Sequence, residues 1–482
     1  MSTPKLGDMP ASEFRKYGHE LIDMMADYFE NIEDYPVLSK VKPGDIKKQL
    51  PLSAPETGED FAEILKDVEK VIIPGVTHWN HPGFHAYFAS TASAPGILAD
   101  LVSSCFNANG MLWKSCPAST ELEAQVLDWL RQMIGLDEKF WGIIYDTASV
   151  STMHAIAAAR ENVEGYKLRE KGLTGSGVPK LRLYTSEHAH SSVEKGVIAL
   201  GMGIEGTRKI KTDKEFKMIP AELENAVKED LQNGWLPFCV VATIGTTSIT
   251  SIDPVEEIAK ICKKYNLWLH IDGAYGGVAS IVPEMRFVLK GCENADSFVV
   301  NPHKWLFTPF DLSVLYTSKP DVLKCAFCLV ADYLKTAEDS SVENRMDYGV
   351  QLGRRFRSLK LWFILRYFGR KGIEERLREH MRLAKEFGAW IERHKYFELL
   401  APVPLSTVCF RAVPREGMST EEINSFNEKL MDAVNETGKI FISHTKLNGI
   451  FTLRFVVSGL RTEKRHIETA QEIFDTTLNK MK

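Results

Sequence analysis

A chain of 482 residues, 44% hydrophobic and 26% charged, is long enough for two or three domains and apolar enough to bury a large core without cross-links. Its formal charge of -5, with both signs interspersed, provides no basic field for nucleic acid or an anionic membrane, and neither is expected as a partner. The eight cysteines are scattered; Cys325 and Cys328 form one CxxC, but no second pair follows to complete a metal or redox site, so no metal is expected.

Residues 1–10 are polar and lack the apolar core of a secretion signal, and no later run approaches the length of a membrane span, so a cytoplasmic protein is expected. Over residues 12–31 the apolar side chains Phe14, Tyr17, Leu21, Met24, Met25 and Tyr28 recur at helical spacing. This predicts an amphipathic helix that needs cover from the rest of the fold or from a second subunit. Pro36, Pro43, Pro51 and Pro55 predict an extended arm before a second helix at 61–71.

From Leu122 onward helical patterns alternate with short apolar runs at 142–145, 181–184, 238–243, 267–271 and 297–300. The alternation predicts an α/β fold with a mostly parallel sheet sandwiched by helices and a ligand site at the carboxyl ends of its strands. Residues 354–370 read as a basic, aromatic helix and 372–394 as a charged one. The β-like runs 406–412 and 451–457 and a final helix from Thr462 then predict a small α+β terminal domain. The expected division is an N-terminal helical segment at 1–85, a large domain at 86–371 and a small one at 372–482.

Lys304, in Asn301-Pro302-His303-Lys304-Trp305, follows an apolar run; a desolvated lysine there has a lowered pKa and can serve as a Schiff-base nucleophile. One strand-end lysine is usually just solvated, so its companions decide. Asp272 ends a buried run, where a carboxylate can keep a pyridinium nitrogen protonated, although capping is as common a use. Residues 142–152 read as strand, turn and helix, and the small and hydroxyl residues at the helix start suit either a phosphate dianion or ordinary capping. His190, after the run 181–184, can stack on a flat ring; with His188 it makes no metal set.

In this order the pieces resemble the large domain of fold-type I enzymes that use pyridoxal 5'-phosphate (PLP). The wording of Asn301 to Trp305, Ala189-His190-Ser191-Ser192-Val193-Glu194, Gly245-Thr246-Thr247, Asp272-Gly273-Ala274-Tyr275 and Leu352-Gly353-Arg354-Arg355-Phe356-Arg357 is similar to the group II decarboxylases of the aromatic-L-amino-acid type, and so is Pro74-Gly75-Val76-Thr77-His78-Trp79. The resemblance spans nearly the whole chain. It implies that Lys304 holds PLP, Asp272 pairs with the pyridine nitrogen and His190 stacks on the ring. Ala148, Ser149, Asn301 and His303 would serve the phosphate, and Thr247 and Ala274 would line the ring. It further implies a homodimer in which Gly353 reaches the neighbour's site and the N-terminal helices wrap the neighbour.

For substrate, the resemblance points to Trp79, Tyr87, Phe88, Ser90, Met111 and His190, an aromatic pocket suited to aromatic L-amino acids. Tyr333 would protonate Cα after CO2 leaves, giving the amine; relatives with Phe there release an aldehyde, ammonia and peroxide. An aldehyde synthase and a silent PLP-binding scaffold are the alternatives; Tyr333 argues against the first, and the joint presence of Lys304, Asp272 and Tyr333 against the second. The chain departs from the animal enzymes at Asp146 and Val150, where they carry Gly and Glu, and an acid beside a phosphate is unfavourable unless it points away or caps the helix. Asn109 is also more polar than the residue expected there.

Overall fold

The computed structural model describes residues 7–482 except 176, 330, 331 and 340. Among the described residues, one sheet holds β1 (Trp141–Tyr145), β2 (Leu181–Ser186), β3 (Thr207–Ile210), β4 (Leu236–Thr243), β5 (Trp268–Asp272), β6 (Ser297–Val300) and β7 (Ser313–Thr317), in the order β1-β7-β6-β5-β4-β2-β3. Neighbours from β3 to β6 pair in parallel, whereas β7 is antiparallel to both β6 and β1. Two reversals cancel, so β1 points the same way as β2 to β6, and the carboxyl ends of these strands share one edge.

The sheet residues are apolar on both faces because helices cover both, as the near-continuous runs of β4, β5 and β6 require. One covering helix, Pro117–Ile134, buries Val126, Leu127, Leu130 and Ile134 at helical spacing. A second sheet, β10 (Ser443–Leu447), β11 (Ile450–Val456), β9 (Thr407–Ala412) and β8 (Phe397–Leu399), is wholly antiparallel and has its own core around Phe387, Phe410, Phe455 and Phe474.

Three helices differ from their sequence reading. The helix whose sequence pattern spans 151–162 begins at Ala148, because Thr147 takes an extended conformation and its carbonyl accepts the first amides. The helix expected from 354 begins at Ser358, and Gly369, with φ of 61° and ψ of 172°, separates it from the next, which runs to Arg393, so the two helices read at 354–370 and 372–394 stay distinct. The second N-terminal helix, Phe61–Asp67, passes into one π turn, Val68–Ile72. The first helix, Ala11–Glu30, buries Tyr17 but leaves Phe14 and Ile22 exposed, so this chain alone does not cover its apolar face. No helix among the described residues is long and apolar enough to cross a membrane.

Candidate active site

The turns after β1, β2, β4, β5 and β6 meet at the carboxyl edge of the large sheet. Lys304 sits there in the short helix Pro302–Trp305. Behind it Trp305 is fully buried, donates from Nε1 to His380 Nδ1 at 2.9 Å and stacks on Tyr275 at 4.6 Å; Tyr275 in turn stacks on Phe88 at 3.6 Å. The Lys304 ammonium lies 5.5 Å from the Phe88 ring centre. Burial lowers its pKa below the usual lysine range, Asp272 opposes the shift and Arg454 reinforces it.

Asp272, the last residue of β5, is buried and accepts the Ala274 N–H at 3.1 Å. His270 on the same strand is held down to about 4 by burial, so it stays neutral. His190 accepts the Ser192 N–H on Nδ1 at 3.1 Å, which places the proton of its neutral ring on Nε2. Burial lowers the His190 pKa, Asp272 opposes this, and Lys304 adds to it. Thr247 is exposed on the turn after β4. That turn packs backbone to backbone on the Ala274 turn: at Gly245, with φ +86°, a Cβ would lie 3.1 Å from the Gly276 backbone.

At the start of the Ala148–Glu161 helix, Val150 and Ser151 donate to Thr147 O, while the Ala148 and Ser149 N–H groups have no protein acceptor among the described residues. Nearby on the carboxyl edge, His303 accepts the Leu312 N–H on Nδ1 at 2.9 Å and is held neutral, down to about 3, chiefly by burial. Its proton is therefore on Nε2, 3.3 Å from the Asn301 amide, whose Oδ1 is otherwise buried without a partner. It is the amide Nδ2 that faces His303 Nε2, so two donors meet; turning the amide over lets Oδ1 accept from His303 and frees the NH2 to donate to an anion. Asp146 does not enter this cradle: it accepts from the Thr147 N–H and hydroxyl on one oxygen and from Gln351 Nε2 at 3.1 Å on the other.

The model of the pyridoxal-dependent decarboxylase conserved domain matches residues 43–413. The chain belongs to the pyridoxal-dependent decarboxylases. It is 40% identical to tyrosine decarboxylase 4 of Petroselinum crispum over 97% of this chain and 94% of that protein. It is also 40% identical to a phenylacetaldehyde synthase of a Rosa hybrid cultivar, over 96% and 93%. An Oryza sativa TDC solved with PLP and tryptamine matches its structure with a TM-score of 0.95 at 34% identity, over 99% of this chain and 100% of that one.

In a decarboxylase of this family, bound PLP takes up the electron pair left behind when CO2 departs. The residues present fit it: free helix-start amides and an amide NH2 for a dianion, a buried carboxylate for a protonated ring nitrogen, and a desolvated lysine. On the substrate side Trp79 stacks on Phe84 at 4.5 Å and on Tyr87 at 5.7 Å, with Trp79 and Tyr87 partly open to solvent, Phe88 buried and Ser90 half-buried. Among the described residues, Met111, Gly353 and Tyr333 make no hydrogen bond or ring contact with this group. Met111 packs with Leu112, Leu334 and Met346, Gly353 is exposed, and Tyr333 is 80% exposed, so it is not a tyrosine packed beneath its own loop.

Arg454 is a site residue that sequence reading missed. It is buried, donates to Ala86 O and Ser248 O at 2.7 and 3.0 Å, lies 4.8 Å over Phe88, and has Nη2 unpaired and no carboxylate partner among the described residues. Its signal was a single arginine inside the apolar run 451–457. Beside Gly353, Arg354 pairs through Nη2 with both oxygens of buried Glu123, at 2.8 and 3.1 Å, and its N–H is accepted by Asn109 Oδ1 at 2.9 Å. Arg354→Met would strand the Glu123 carboxylate, and a loss of about 3–5 kcal/mol in urea unfolding is expected. A loss below about 1 kcal/mol, the range of surface pairs, would show that the pair does not anchor this wall.

Proposed function

We propose that this chain decarboxylates aromatic L-amino acids to arylalkylamines and CO2, acting as a cytoplasmic homodimer. The observation that carries the reading is the grouping of a desolvated Lys304 with Asp272, the His190 Nε2–H and the Phe88-Tyr275-Trp305 stack at one sheet edge. Lys304 holds PLP, Asp272 keeps the pyridine nitrogen protonated, and Thr247 and Ala274 flank the ring. Ala148, Ser149, Asn301 and His303 serve the phosphate. His190 donates from Nε2 to the substrate carboxylate and stacks on the ring, and Trp79, Tyr87, Phe88 and Ser90 receive the side chain.

Met111, Gly353 and Tyr333 complete the site of the neighbouring subunit. Two features support a second subunit: the exposure of Tyr333 and Gly353 in one chain, and the uncovered Leu98, Leu101 and Phe106 of the helix Ala94–Phe106. Residues 1–85 then form a dimerisation segment, 86–371 the PLP-binding domain and 372–482 the small domain. A Cβ at Gly353 would have only Asn109 Nδ2 near it, at 3.7 Å, which leaves room for a phenol or an indole. Unpaired thiols at all eight cysteines agree with a reducing compartment.

The similarity to phenylacetaldehyde synthases favours a second reading, oxidative deamination on the same site. Product analysis with Tyr, Dopa, Trp, Phe and His separates the two. Amine formation consumes no oxidant; the aldehyde route consumes one O2 and one water per turnover and releases CO2, ammonia and H2O2 with the aldehyde. Stoichiometric amine and CO2 are expected from aromatic substrates. In Tyr333→Phe amine output should fall by about 10²–10⁴, the range for a positioned acid, with aldehyde and peroxide appearing instead. Unchanged amine output would remove Tyr333 from proton transfer.

A further inference from the structure

The helix that opens with Ala148 and Ser149 carries, one and a half turns on, a completely buried histidine that the chemistry above does not use. His154 donates from Nδ1 to Val150 O at 2.7 Å and accepts the Val350 N–H on Nε2 at 3.1 Å. Its ring stacks on Tyr145 at 4.3 Å and 19°, and Phe327 packs on it at 4.6 Å. Phe327 is the last residue of the helix Pro320–Phe327, before the segment that carries Tyr333; Val350 follows that segment, just past the short turn Arg345–Tyr348. One side chain thus touches the chain on both sides of Tyr333.

Further contacts fix the same strap. The Tyr145 hydroxyl donates to Tyr348 O, and Gln351 donates to Asp146. Gly349 lies so flat on the two rings that a Cβ there would come within 2.9 Å of His154 Nε2 and 3.0 Å of Tyr145 Cε1. The unusual acid at position 146 therefore has an occupation of its own: it ties the turn before the cradle to the strap that leads to Gly353.

We infer that His154 is a positioning residue for the Tyr333 segment, fixing its two feet, Phe327 and Val350, on the helix whose start faces the cofactor phosphate. The inference rests on the reading of Tyr333 given above, and it concerns placement, since His154 touches neither substrate nor PLP. Burial keeps the ring neutral, down to about 4, so Nε2 remains an acceptor at ordinary pH. Its loss takes the acceptor from the Val350 N–H, a part-buried hydrogen bond, and loosens one foot.

The test is limited trypsin cleavage of the PLP-loaded enzyme at Lys335, which is exposed next to Tyr333, followed by mass spectrometry. His154→Phe keeps a ring against Tyr145 but removes the acceptor; cleavage at Lys335 should quicken by roughly two- to tenfold, the size of one hydrogen bond. Cleavage elsewhere and PLP content should not change, and the peroxide-to-amine ratio should rise. His154→Gln, which retains an acceptor, should restore slow cleavage. Phe327→Ala, at a half-buried position, should reproduce the His154→Phe pattern if that variant fails to fold. Unchanged cleavage at Lys335, or cleavage that rises equally at every site, would overturn the inference. Absence of amine from the wild-type enzyme would instead overturn the proposed reaction while the proteolysis result stood.

Discussion

Lys304→Ala is expected to end turnover, with kcat reduced by at least about 10²–10⁴, the range for a single positioned proton-transfer or nucleophilic group. The amine must be neutral to form a bond to the cofactor aldehyde, and its surroundings favour that: burial against Phe88 lowers its pKa and Arg454 adds to the effect, with only Asp272 opposing. Lys304→Arg should fail as well, because a guanidinium does not give up its proton at any working pH. Borohydride reduction of the PLP-loaded protein, then peptide mass mapping, should find the added mass on the Lys304 peptide in wild type and nowhere in Lys304→Ala. Label on another lysine, or amine output from Lys304→Ala near the wild-type rate, would displace Lys304 from its role.

Much of this arrangement was visible in the sequence because the strands are buried on both faces. A strand covered twice has no polar side, so it shows as a continuous apolar run, and the run at 297–300 coincides with β6. Asp272 and Lys304 were visible for the same reason: each is a charged residue where such a run stops. Helix starts were less visible. Thr147 caps through its backbone, which leaves no side-chain signature, and Arg354 to Arg357 read as helix although Arg354 is engaged by Glu123 and Asn109 before the helix begins. Arg454 was hidden by the apolar residues around it. The strap contacts of His154 and Asp146 join positions about 200 residues apart, and no local pattern records such a pairing. In the proposed homodimer the use of Tyr333 and Gly353 depends on a second subunit, and no periodicity in this sequence describes one.

Asp272→Asn is expected to leave folding and PLP content close to wild type and to lower kcat by about 10²–10⁴. The asparagine keeps an oxygen for the Ala274 N–H, now at 3.1 Å, so the turn that carries Ala274 should hold its shape. What disappears is the negative charge, and nothing else near it supplies one: His270 and His190 are held neutral chiefly by burial, and Arg454 and Lys304 are cationic or neutral groups. Without a carboxylate the pyridine nitrogen loses the group that holds its proton, and the ring becomes a poorer acceptor for the electron pair left by CO2. Because the loss falls on the transition state, kcat and kcat/KM should drop together, with KM nearly unchanged. The same substitution removes the charge that raises the pKa of Lys304, so the lysine should become neutral at lower pH, and the borohydride-trappable fraction should persist to lower pH than in wild type. A variant with near wild-type kcat would show that the Asp272 charge serves the turn alone. A variant that loses PLP in proportion to activity would make Asp272 a binding residue and not the holder of the ring proton.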